Sequence, residues 1–105
     1  MAYNLIITDH ADKLIDNLMG YLFHKLQHPE AALHLMNGLD AIYDRLADNP
    51  LQFPECLDTL LSQRGYREAL LPDMDYRIVF RIEDLTVYIV GVYSARMTAF
   101  RHVFP

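Results

Sequence analysis

The sequence predicts an α+β domain in the order β-α-α-β-β-β, an antiparallel sheet with a helical hairpin packed on one face. Three observations predict it. Apolar residues recur twice at helical spacing between residues 14 and 46, the period switches to strand-like alternation after Gly65, and proline or a turn residue stands at each change. The 105 residues, 52% of them hydrophobic, suffice for one packed core, so residues 1–105 are expected to form a single domain.

Residues 3–8, YNLIIT, are short and rich in β-formers, and Thr8/Asp9 supplies an N-cap oxygen to the helix that follows. In that helix Leu14, Ile15, Leu18, Met19, Leu22, Phe23 and Leu26 make one apolar stripe over about four turns. His28-Pro29 breaks it and opens a second helix, because proline suits a first turn where its missing N–H is not needed. Ala32, Leu35, Met36, Leu39, Ile42, Tyr43 and Leu46 form the second stripe, which ends before Asn49-Pro50. The two helices are expected to pair antiparallel.

Residues 50–64 hold Pro50 and Pro54 and a short apolar patch, and are expected to be a loop with room for one helical turn. Three strands follow, YREALL (66–71), DYRIVFRIE (75–83) and LTVYIVGVY (85–93). In the second of them Tyr76, Ile78, Phe80 and Ile82 alternate with Arg77, Val79 and Arg81, so one face should meet the helices and the other display charge. Glu83-Asp84 is expected to close a tight hairpin. The last strand is apolar on both faces, as a central strand would be.

Net charge is -5, which argues against wrapping nucleic acid, since neutralisation of phosphates by Lys and Arg dominates that affinity. The charge is unevenly spread. Residues 1–62 set Lys13, Lys25 and Arg45 against nine carboxylates, whereas residues 63–105 set six arginines against five. Arginine's planar fork suits phosphate or carboxylate, so the C-terminal half is where an anionic partner would bind. Cys56 is the only cysteine and cannot form an internal disulfide, and no stretch approaches the ~20 apolar residues of a membrane span, so the expected location is cytoplasmic.

A second helix that starts HPEAA and ends RLADNP, then GYR, the YRIVFRIED/TVYIVGVY hairpin and the terminal ARMTAFRHVF together resemble the RelE/ParE toxin superfamily over nearly the whole chain. The tail resembles ParE-type members most, through Arg96, Met97, Arg101 and His102 after a hydrophobic strand. The resemblance implies the toxin of a type II toxin–antitoxin system, neutralised by a cognate antitoxin. ParE-like members poison DNA gyrase without a catalytic site; RelE-like members cut mRNA in the ribosome. RelE-like nucleases are strongly basic. This chain is acidic, lacks lysine after Lys25, and has Arg67 and Glu68 where RelE-like enzymes carry lysines, so the ParE-type reading is favoured and gyrase is the expected target. A homodimer and a toxin–antitoxin hetero-oligomer are both open.

The partner-binding candidates are Arg67, Arg77, Arg81, Arg96, Met97 and Arg101. Were the protein a ribosome-dependent nuclease, it would need a base for the 2′-hydroxyl, cations for the pentavalent phosphate and an acid for the leaving oxygen. Arg77, Arg81 and Arg96 would supply charge, and Tyr93 or His102 would move the proton. A salt bridge is the structural alternative for Arg77, and core packing is the alternative for Tyr93. His24, His28 and His34 lack a completing ligand and are better explained as helix-terminus residues, so no metal is expected. Cys56 has no local nucleophile signature and is expected to be a buried small hydrophobe. With no glycine-rich phosphate loop, no cofactor is expected.

Overall fold

A computed structural model describes residues 2–94. Its elements run β1 (Asn4–Ile7), α1 (Asp9–Gly20), a π-helical turn (Tyr21–Lys25), α2 (Pro29–Asp48), a 3-10 turn (Pro50–Gln52), α3 (Thr59–Gln63), β2 (Arg67–Leu70), β3 (Tyr76–Glu83) and β4 (Thr86–Ser94). The α+β class and the helical hairpin are as the periodicity predicts. None of the described helices is long and apolar enough to cross a membrane.

Local chemistry explains the helix boundaries. The Thr8 hydroxyl accepts from the Ala11 N–H at 3.2 Å and donates to the Ile89 carbonyl at 2.9 Å, so one side chain caps α1 and ties it to β4. At α2 the cap is His28, whose Nδ1 accepts from the Ala31 N–H at 3.1 Å, with Pro29 in the first turn. That bond needs the Nδ1 lone pair, which gives His28 a structural role. The predicted four-turn first helix differs from the structure. Its last turn widens, with the Leu26 N–H donating to the Tyr21 carbonyl, and this added residue rotates Phe23 and Leu26 to half-exposed positions while Leu22 stays buried.

The sheet order is β1-β4-β3-β2. The later three strands pair antiparallel, as expected, but β1 joins β4 in parallel, from Asn4↔Thr86 to Ile7↔Ile89. The reason is the connection: the helices return the chain so that β2 runs in the direction of β1, and the two antiparallel reversals from β2 to β3 to β4 then bring β4 beside β1 in that same direction. This makes the sheet mixed and puts β4 in the centre. The hairpin turn falls one residue later than expected, on Asp84 and Leu85, with Asp84 at φ +54, a conformation that Asp tolerates. A bulge between Val79 and Phe80 leaves Val90 without a partner on β3.

The main core lies between the helices and one sheet face, with Leu35, Ile42, Leu46, Ile78, Phe80 and Ile89 almost fully buried. A second, smaller cluster of Cys56, Leu61, Val79 and Tyr93 forms where residues 56–66 fold over the other face of β3. That segment is held by the Glu55↔Arg67 bridge and by Asp58, which caps α3 by accepting from the Leu60 and Leu61 N–H groups. The expectation that β3's outer face displays charge is therefore corrected: Val79 lies in a covered apolar layer and Arg77 beside it is largely withdrawn from solvent.

Candidate functional site

β3 and β4 bring Arg77, Arg81 and Tyr93 onto the outer sheet face, whereas Arg67 of β2, directly opposite Phe80, stands on the helix-side face, and each is engaged within the chain. Arg77 is 12% exposed in its side chain, and its Nη1 lies 3.2 Å from Glu68 Oε1. Glu68 is itself buried on β2, and the same oxygen accepts from the Leu57 N–H at 3.2 Å. One carboxylate thus joins β2, β3 and the covering segment. The Cys56 thiol donates to Glu68 as well, and burial, followed by that neighbouring carboxylate, pushes its pKa up to about 12. Cys56 is a protonated core residue, as the sequence suggests, and far from a thiolate nucleophile.

Tyr93 sits directly across from Arg77 in the β3–β4 ladder and is buried. Its ring folds back over Gly91, where a Cβ would collide with the phenol. Burial first, and then Tyr66, raise the hydroxyl to about 12, so it holds its proton through the physiological range. Further along the face, Arg81 pairs with Glu83 at 2.7 Å and stacks over Tyr88, 4.1 Å from the ring centroid. Arg81 is the more exposed of the two ion-paired strand arginines. Arg67 donates from Nη1 to the Phe53 carbonyl at 2.6 Å. The structure brings Arg77 and Tyr93 together, but in a packed layer. Arg96, Met97, Arg101 and His102 lie outside the described residues.

Two grooves flank α1. One, of about 350 Å³, is lined by Leu14, Leu18 and Tyr21 of α1 and by Tyr76, Tyr93 and Ser94 of the sheet, so it adjoins the last described residue of β4. The other, of about 390 Å³, opens between α1 and α2. Sequence reasoning missed this second groove, because its apolar residues belong to the stripes that also build the core.

With this geometry in place, comparison with known proteins is decisive for the family. Residues 5–99 match the model of the ParE toxin of type II toxin-antitoxin system, parDE. The chain belongs to the ParE toxin family. No curated protein matches it. Among solved structures it resembles a chain of the chromosomal ParDE TA system from P. aeruginosa, with 18% identity and a TM-score of 0.71, covering 89% of this chain and 96% of that one. At that identity the likeness speaks for the fold. The match to the family model identifies this chain as the toxin component of a type II toxin–antitoxin system.

Proposed function

We propose that this ParE-type toxin arrests growth in the cytoplasm as a binding inhibitor of DNA gyrase and is neutralised by a cognate antitoxin. The observation that carries the reading is the packing of Arg77 against Glu68 beside Tyr93. A nuclease would need the guanidinium turned toward phosphate and a proton-transfer group poised near neutrality. Here the guanidinium serves a buried carboxylate, and the phenol is raised to about 12. Both residues support the sheet. The gripping role then falls to Arg96, Met97 and Arg101, which follow β4, together with the open stretch of sheet around Arg81 and Tyr88.

The test is a supercoiling assay with purified toxin and gyrase, run beside primer extension on mRNA from induced cells. Loss of supercoiling, with intact transcripts, is the expected pair of results. Cuts inside translated codons with supercoiling unaffected would overturn the reading in favour of a ribosome-dependent nuclease.

A further inference from the structure

The groove between α1 and α2 has a floor and a rim of opposite character. Ile15 and Met19 of α1 with Met36 and Leu39 of α2 form the floor, and Ile7 of β1 closes one end. Met36 is 50% exposed and Ile7 39%, so apolar surface is open to water here. The rim is Asp12 and Asp16 on one side and Asp40 on the other. Asp12 and Asp16 are one helical turn apart, an arrangement that costs a few tenths of a kcal/mol in like-charge repulsion on a helix.

Only part of this charge has a folding role. Asp12 lies in the first turn of α1, where the helix dipole favours a carboxylate. Asp16 and Asp40 lie in helix interiors, and among the described residues no ion pair engages any of the three. Tyr43, which also lines the groove, reports the field directly. Its hydroxyl is raised to about 12, first by burial and then by Asp40 and Asp12 together, so both rims act on the same space. The cations of this half of the chain do not offset it: Arg45 is engaged with Gln52, and only Lys13 and Lys25 remain.

We propose that this groove is a docking surface for a helix of a partner protein whose apolar stripe is flanked on both sides by Lys or Arg. The polarity is the reverse of what the arginine-rich half of the chain invites, and the surface is distinct from the sheet face and tail of the proposed function. Two methionines give the floor the adaptability of a surface that accepts a helix face rather than a single rigid ligand. The three carboxylates then select by charge, favouring the cationic helix and penalising an acidic one with the same stripe.

The experiment titrates the full chain with two labelled synthetic helical peptides of identical leucine stripe, one flanked by lysines and one by glutamates, followed by fluorescence anisotropy. The lysine peptide should bind at least about ten-fold more tightly, which is 1.4 kcal/mol, and lose affinity with added salt. Asp16→Asn with Asp40→Asn should remove most of that preference, while Glu30→Gln, outside the groove, should leave it. Met36→Asp separates docking from charge alone, since it adds a carboxylate but spoils the floor, and it should weaken binding. Circular dichroism verifies that each variant is folded. Equal or tighter binding of the glutamate peptide, or an unchanged affinity in Met36→Asp, would overturn the proposal. So would a dimer of the chain that Met36→Asp dissociates, because the groove would then serve a second copy. None of these readouts depends on toxicity, so failure here is distinct from failure of the gyrase reading.

Discussion

The guanidinium of Arg77 and the carboxylate of Glu68 meet at 3.2 Å across β3 and β2, both withdrawn from solvent. This pair occupies a face on which the strand pattern alone places displayed cations. Removing one partner of a buried pair strands the other charge, which typically costs about 3–5 kcal/mol, whereas replacing both with apolar residues of similar size is often near neutral. Glu68→Ala should therefore destabilise the fold strongly, more so because the Leu57 N–H also loses its acceptor. The double change Glu68→Leu with Arg77→Met should recover the part of the loss that comes from the stranded charge, leaving that of the unpaired Leu57 N–H. Urea denaturation of the three proteins measures this, and a double variant no more stable than Glu68→Ala would show that the pair contributes specific structure beyond charge balance.

Gly91 and Tyr93 make a second tight relationship. The Tyr93 ring lies where a Cβ at 91 would be, and its phenol cannot swing freely because Val79, Cys56 and Leu61 pack around it. Gly91→Ala should cost about 1–3 kcal/mol by overpacking. Trimming the ring relieves the clash, so Gly91→Ala should cost less in a Tyr93→Leu background than alone. A thermal-melt double-mutant cycle gives the coupling, and additive effects would contradict the placement of the ring.

Alkaline conditions should loosen the covered layer. Cys56 rises from 9.0 to about 12 in the fold, and Tyr93 from 10.0 to about 12. A group whose folded pKa lies above its unfolded value contributes stability that is complete below the unfolded pKa and declines as pH climbs through the folded one. The unfolding free energy should thus be flat up to about pH 9 and fall between pH 9 and 12. Cys56→Ala should flatten the first part of that decline. Denaturant midpoints taken from pH 7 upward test it, and an unchanged pH profile in Cys56→Ala would remove the thiol from the account.

The two helices and the three later strands were legible because their signals are local: the stripes, Thr8 and Pro29 at the caps, and the β-branched runs after Gly65. The π-helical turn was not, since Phe23 and Leu26 fit a straight helical stripe and only the backbone hydrogen bond at Tyr21 shows them rotated away. The parallel pairing of β1 depends on contacts some 80 residues distant, such as that from Thr8 to Ile89, which no local pattern encodes. The engagement of the arginines was hidden for a related reason. Glu68 meets Arg77 only once the β2–β3 register is set, and residues 56–66 cover Val79 and Tyr93 only because Asp58 starts a short helix there.

The division between structural and functional arginines can be tested directly. Arg45 donates from Nε and Nη2 to Gln52 at 3.0 and 2.8 Å and stacks on Phe53, 4.6 Å from the ring centroid, so it secures the end of α2. Arg45→Ala should lower stability by about 1 kcal/mol, mostly from the lost stacking and exposed hydrogen bonds, yet leave growth arrest largely intact. Arg81→Ala breaks a solvent-exposed pair, worth at most about 1 kcal/mol, so any marked loss of toxicity from it reports binding. Arg96→Ala should weaken growth arrest more than Arg45→Ala, because Arg96 belongs to the segment proposed to grip the target. Growth curves after induction, read beside thermal melts of the purified variants, separate the two roles. If Arg45→Ala abolished arrest at unchanged stability while Arg96→Ala did not, the target would have to bind the helical hairpin, and the toxic surface would have to be moved from the end of β4 to α2.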